Sequence, residues 1–375
     1  MDRLPENAAL RRLVAKLYGT HLDARDQCLL DFRFAKAPTQ AMLDECLARC
    51  DIEAMGAKKS ILLAYARREH PELVFSDYAG PRIDGLIRYF HFANTKTLAH
   101  FSKIGKALNQ AGIPILLFKG AAMRALRPEL PRPMGDADIL IPAGRIDEAT
   151  RIGEGLGYLH TREESNHAVD FHTEAESAVD VHHSIFDPDR DYTAFHKGLF
   201  ERAKPTTVFG VDVLLPSRED LCFLVMANLT KNLREHTTLH SIYFSIEDCA
   251  WLQRDTPLNW DIIREDAVAS GHEVETSLAA AFMNAAVPGL FPEPEELFPE
   301  LRGVEDFCNL VIFDEDYFLP RQRHCQSIRV VELKNDPWRH GSRILKFLLL
   351  KKLRGVPAFV RWYLAHKRGI VTHAF

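Results

Sequence analysis

The sequence predicts an α/β (α+β) protein with a strand-and-helix core at residues 97–216 between helical flanks. Apolar residues recur three or four apart up to about residue 95 and again beyond Ser217, which is helical spacing. Between these stretches the texture changes to short apolar runs and alternating segments bounded by Gly and Pro, which is strand spacing. The 375 residues amount to about two domains at roughly 150 residues each. The divisions expected are an N-terminal helical region at 1–96, the core at 97–216, a helical domain at 217–290, and a linker with a basic helical region at 291–375.

The flank opens with LRRLVAKLYG, QAMLDECLARC and AKKSILLAYARREH as amphipathic helices, punctuated by Pro5, Pro38 and Pro71. Thr97 to Ala111 reads as another helix, with Gly112 suited to its C-terminal cap. IPILLFKG is a short continuous apolar run ending at Gly120, the pattern of a buried strand that stops at a tight turn. AAMRALRPEL then reads as a helix, PRPMG as a loop and DADILIP as a second strand. RIDEATRIGEGLGY is a helix closed by glycine, HAVDFHTEAESAVDVHHSIF two strands joined by a polar turn, and TTVFGVDVLLP a strand pair. Ser217 with Asp220 resembles a capping box. Helices follow at SREDLCFLVMANL, HSIYFSIEDCAWLQ, WDIIREDAVASG and VETSLAAAFMNAA, and PGLFPEPEELFPEL is a proline-punctuated linker.

Composition narrows the function classes. At 46% hydrophobic and 26% charged residues the chain has the ordinary globular balance, which excludes collagen-like, disordered and coiled-coil readings. No apolar run approaches the roughly 20 residues a bilayer span needs. MDRLPENAALRRL has no apolar stretch ahead of a small-residue cleavage site, so a cytoplasmic protein is expected, peripheral membrane association being the alternative. The seven cysteines are scattered and odd in number, which fits reduced, mostly buried thiols. Cys46 and Cys50 are four apart, but no second Cys/His pair completes a metal site. Residues 339–375 hold nine Lys or Arg and no acid, against a whole-chain net charge of −5. Such a tail suits an anionic membrane surface, a nucleic acid, or the acidic body of the chain itself.

The chemistry concentrates in Lys119-Gly120, Arg132, Gly135-Asp136-Ala137-Asp138 and Val179-Asp180-Val181-His182. Two carboxylates two apart in a strand leave the same face at a repeat of roughly 7 Å. Adjacent carboxylates repel unless a cation neutralises them, and hard oxygen donors suit Mg²⁺, with Mn²⁺ as an alternative. Asp180 alternates with Val179 and Val181, so it faces the same side as the pair if the strands are neighbours. Three acids so arranged suit a two-metal, in-line displacement. His182 reads as a hydrogen-bonded support that orients a neighbouring acid, because Mg²⁺ prefers oxygen. The nearby His167, His172 and His183 read the same way. Lys231, Arg234 and His236 read as solvated surface, and no GxxxxGK[ST] loop is present.

In this order the motifs resemble the nucleotidyltransferase superfamily that shares the polymerase-beta-type fold, and most closely its bacterial uncharacterised nucleotidyltransferase group. The resemblance spans roughly residues 97–255. It implies a polymerase-beta-type core with a mixed sheet, and metal-dependent transfer of NMP from an NTP to a hydroxyl or phosphate acceptor, with pyrophosphate release. It implies Asp136, Asp138 and Asp180 as catalytic metal ligands, Lys119, Gly120, Arg132 and Gly135 as the nucleotide side, and Asp180 as a base on the acceptor hydroxyl. This chain has Gly120-Ala121 where the superfamily commonly has Gly-Ser or Gly-Gly, and Asn228 where the group often has histidine. Asp248 matches the group's helical Asp-Leu pattern only loosely. The acceptor classes left open are a small molecule, saccharide, peptide or RNA. The alternative reading is a catalytically weak or inactive nucleotide-binding module that recruits a partner or membrane through its basic tail.

Overall fold

Local chemistry sets the starts of the first four helices. In the computed structural model, which describes residues 7–129, 132–162, 167–174, 177–186, 191–235, 241–301, 304–305 and 307–308, the flank forms α1 (Ala8–His21), α2 (Ala24–Arg33), α3 (Gln40–Arg49), α4 (Ile52–Met55), α5 (Ala57–Glu69) and α6 (Ala79–Gln110). Asn7, Asp23, Thr39 and Asp51 each accept first-turn backbone N–H groups that no helical carbonyl reaches. The helix expected from Thr97 instead begins at Ala79 and runs 32 residues. Pro81 does not break it, because it falls in the first turn, where a missing N–H costs nothing.

The core continues with β1 (Leu116–Leu117), α7 (Lys119–Leu126), β2 (Ala137–Leu140), α8 (Ile146–Gly155), β3 (Leu159–Arg162), β4 (Ala168–His172), β5 (Ser177–His182), α9 (Thr193–Arg202), β6 (Lys204–Val208) and β7 (Val211–Leu215). The strands form one mixed sheet in the order β3-β4-β5-β2-β1-β7-β6. β2 pairs in parallel with β5 and β1 with β7, and the other neighbours are antiparallel. β3 is a strand that the sequence pattern does not announce. Helices α10 (Arg218–Glu235), α11 (Ser241–Leu252), α12 (Trp260–Ser270), α13 (Glu273–Ala286) and α14 (Pro294–Leu297) complete the described chain. Ser217 and Asp220 form the expected reciprocal cap of α10, with Asp220 accepting from the Ser217 N–H and Ser217 Oγ from the Asp220 N–H. The linker region contains α14, a single turn that starts on Pro294.

The described residues fall into two compact units. One lies within Asp23–Val225 and Tyr243–Gly271 and carries the whole sheet; the other lies within Met1–Leu22, Met226–Ile242 and His272–Phe375. In the second unit α1 packs against α13, where the Tyr18 and Phe282 ring centroids are 6.4 Å apart. His21 Nε2 donates to the Leu233 carbonyl at 2.8 Å and Thr230 to the Glu275 carbonyl at 2.8 Å.

In the sheet unit, Ile139, Phe171, Val179 and Val181 are buried on one face. Strand alternation puts Asp138, Asp180 and His182 on the other. Close approach fixes the helix on the apolar face: a Cβ on Gly153 of α8 would stand 2.2 Å from Phe171 Cε1. Gly153→Ala is therefore expected to destabilise the unit by about 1–3 kcal/mol through overpacking. Chemical denaturation checks this, and an unchanged midpoint would refute the packing argument.

The described cysteines are free thiols, mostly buried; Cys222 and Cys249 Sγ are 3.8 Å apart. Among the described residues no helix is long and apolar enough to cross a membrane. Cys325, His236 and the basic stretch 339–375 lie outside the described residues.

Candidate active site

The carboxylates meet because of register. β2 and β5 run parallel with Asp138 directly beside Asp180 and Leu140 beside His182. His182 Nε2 lies 2.8 Å from Asp180 Oδ2 and 3.2 Å from Asp138 Oδ1, so its N–H bridges both acids. The imidazole is buried and stacks edge-on against Phe118 at 4.9 Å between centroids. Burial pulls its pKa down, but its hydrogen bonds to the two acids raise it overall. His182 thus contacts both carboxylates and also belongs to the donor cluster itself. Asp138, Asp180 and His182 each offer one ligand atom, all within 4.8 Å of one another, the one such group among the described residues.

Lys119 Nζ stands 2.5 Å from Asp138 Oδ1. Burial pushes the Asp138 carboxyl up, yet Lys119 and His182 hold it well below the ordinary carboxylate range. Asp136 lies just before β2 and outside the three-residue cluster. Burial, followed by the negative charge of Asp138, pushes its pKa up to about 6, with Lys119 acting in the opposite direction. A carboxyl so destabilised as an anion is one that an added cation would return to its charged form.

Beyond β1 the chain turns directly into α7. Positive φ falls on Lys119, at 48°, and not on Gly120. A non-glycine residue there carries strain of about 1 kcal/mol or more, and the Asp138 contact holds the lysine in place. Gly120 is needed for closeness, since a Cβ there would lie 2.7 Å from Arg132 Nη1. Nothing comparable crowds Gly135, which is exposed. The first turn of α7 has no side-chain cap, so its N–H groups and the helix dipole favour an anion there.

Arg132 does not stand free beside this turn. Its Nε donates to Asp248 Oδ2 at 2.8 Å and its carbonyl accepts from Asn94 Nδ2 at 2.7 Å. Asp248 matches the group's helical pattern only loosely, and the sequence alone does not show that Arg132 is its partner. Sequence reasoning passed over Asp170 of β4, which the register sets directly opposite Asp180. The signal for that residue was the repeat Val-Asp-Phe-His and Val-Asp-Val-His at 169–172 and 179–182.

The donor chemistry suits a divalent cation: two carboxylates side by side, with Asp180 Oδ1 buried and without a hydrogen-bond partner among the described residues.

The sequence profile of a family described as uncharacterised nucleotidyltransferase matches residues 62–287, more than half the chain and all of the site. No curated protein matches. A solved structure, an antigenic nucleotidyltransferase-like protein from Paracoccidioides brasiliensis, is similar at 15% identity over 56% of this chain and 99% of that chain, with a TM-score of 0.31. With that profile matched over more than half of its length, the chain belongs to the uncharacterised nucleotidyltransferase family.

Proposed function

We propose that this nucleotidyltransferase moves a nucleoside monophosphate from an NTP to a hydroxyl or phosphate acceptor, with release of pyrophosphate, and that it does so on a polymerase-beta-type core. One observation carries the reading: Asp138 and Asp180 stand in register on neighbouring parallel strands, with Lys119 Nζ 2.5 Å from Asp138. Asp138 and Asp180, with Asp136 beside them, would hold Mg²⁺ or Mn²⁺. When bound, such a cation supplies charge stabilisation to the phosphoryl oxygens and acidity to the attacking hydroxyl. His182 holds the two carboxylates in place through its Nε2–H. The first turn of α7, Lys119 and Arg132 offer positive charge to the triphosphate, with Gly120 and Gly135 keeping backbone free of side chains along that path.

In the transfer, the acceptor oxygen forms a bond to the α-phosphorus while the bond to pyrophosphate breaks. Asp180 takes the proton when the acceptor is a hydroxyl. The acceptor is a small molecule, saccharide, peptide or RNA, and the work is cytoplasmic. The basic stretch 339–375 would bring the enzyme to an anionic membrane or nucleic acid.

The test follows label from the NTP α-phosphate into cell extract with Mg²⁺ and each of the four NTPs, against an Asp136→Ala/Asp138→Ala double mutant. Label entering a discrete acceptor with wild type alone is the expected result. NTP binding without transfer across such extracts would favour the nucleotide-binding module instead.

A further inference from the structure

We propose that Asp248 is a positioning residue that holds the Arg132 guanidinium against the first turn of α7 so that its remaining edge meets the phosphates of the nucleotide. This rests on the nucleotidyltransferase reading of the site and adds a residue from the helical layer to it. Arg132 is fixed on several sides. Nε donates to Asp248 at 2.8 Å, Nη1 to the Pro133 carbonyl at 3.3 Å, and the guanidinium lies 5.6 Å from the Phe244 ring centroid. The Gly120 contact places the same guanidinium at the start of α7, next to Lys119. Its Nη2 has no hydrogen-bond partner among the described residues, and the side chain keeps 19% of its surface exposed. Arg132 thus commits Nε and Nη1 within the protein and keeps the Nη2 donors for a ligand.

The neighbouring acid shows the contrast. Glu247, one residue earlier on α11, meets Arg33 and Arg127, and both of those arginines also meet Glu69. Those charges are spent inside the unit. Asp248 is buried at 2% exposure and its one ion-pair partner among the described residues is Arg132. Consecutive acids on one helix therefore hold two arginines of the connection between α7 and β2, one enclosed and one facing the site.

The experiment measures binding of ATP, GTP, CTP and UTP with Mg²⁺ by calorimetry, using full-length wild type, Asp248→Asn, Asp248→Glu, Arg132→Ala, and the Asp248→Asn/Arg132→Ala pair. For the NTP that wild type binds most tightly, Asp248→Asn is expected to weaken binding about tenfold, the value of one charge-assisted hydrogen bond set loose. Asp248→Glu should recover most of that loss. The double variant should bind no more weakly than Arg132→Ala alone, because Asp248 acts only through the arginine. Mn²⁺ affinity measured by electron paramagnetic resonance should stay unchanged in Asp248→Asn, which a general disturbance of the fold would not allow. Unchanged NTP affinity in Asp248→Asn and Asp248→Glu, or additive losses in the double variant, would overturn the proposal while leaving the nucleotide site standing. A wild type that binds none of the four NTPs would overturn the nucleotide reading, and this proposal with it.

Discussion

Asp138→Asn is expected to lower nucleotidyl transfer by on the order of 10³-fold or more, the rate equivalent of the several kcal/mol that a metal-held phosphoryl group gains. The size follows from the central place of this carboxylate. Asp138 takes the Lys119 ammonium at 2.5 Å and the His182 N–H at 3.2 Å, and lies in register with Asp180. Asparagine keeps the shape but removes the negative charge, and its NH₂ cannot serve as an anionic ligand. The substitution also removes the charge that holds Lys119 in its left-handed conformation, so Lys119 should become freer. Asp180→Asn should produce a similar loss of transfer with a smaller effect on Lys119, because the lysine contacts Asp138. Initial rates and Mn²⁺ binding check both variants, with thermal melts to show that the unit remains folded. Wild-type turnover in Asp138→Asn would remove it from the site.

The motif residues were legible in the chain because each carries a local signature. The alternation through Ala137–Leu140 and Val179–His182 puts the acids on one face whatever the partner strand, so only the pairing of β2 with β5 had to come from the fold. Strand order is not legible in the same way, since β5 follows β2 in sequence with two other strands between them. The turn at Lys119 shows a second limit. Positive φ falls on Lys119, whose Nζ meets Asp138 nineteen residues on, and nothing local in the Lys-Gly pair marks either fact. Arg132 and Asp248 are 116 residues apart, and no periodicity in either segment marks them as partners. Asp170 differs again: its signal, the repeated Val-Asp-x-His, was present in the chain, and its value appears only once β4 and β5 are known to be antiparallel.

The largest stability effect is expected at Glu247, where charge is enclosed away from the site. Glu247 Oε1 lies 2.7 Å from Arg33 Nη2 and 3.3 Å from Arg127 Nη1, while Glu69 meets the same two arginines at 2.9 and 3.4 Å. The side chains of Arg33, Arg127 and Glu247 keep 8%, 5% and 2% of their surface. Trp251 and Tyr65 rings lie 5.0 and 5.3 Å from the Arg127 guanidinium, which closes that side to water. Two glutamates balance these two arginines, and Arg254 joins Glu69 from the rim at 3.0 Å with half its side chain exposed. Glu247→Gln leaves the two buried guanidinium groups to share Glu69 alone. Breaking a buried pair in this way costs about 3–5 kcal/mol, since the remaining charge keeps its desolvation penalty and loses its compensation. Arg254→Ala removes an exposed partner of the same network and should cost less than about 1 kcal/mol. For a unit of this size the Glu247 loss corresponds to a fall in melting temperature of about 10 °C, against a few degrees at most for Arg254→Ala. Replacing Arg33, Glu69, Arg127 and Glu247 together by apolar residues of similar volume should recover much of the loss, because no charge is then left stranded. Equal melting temperatures for Glu247→Gln and Arg254→Ala would show that the enclosed charges are not the support that their burial implies.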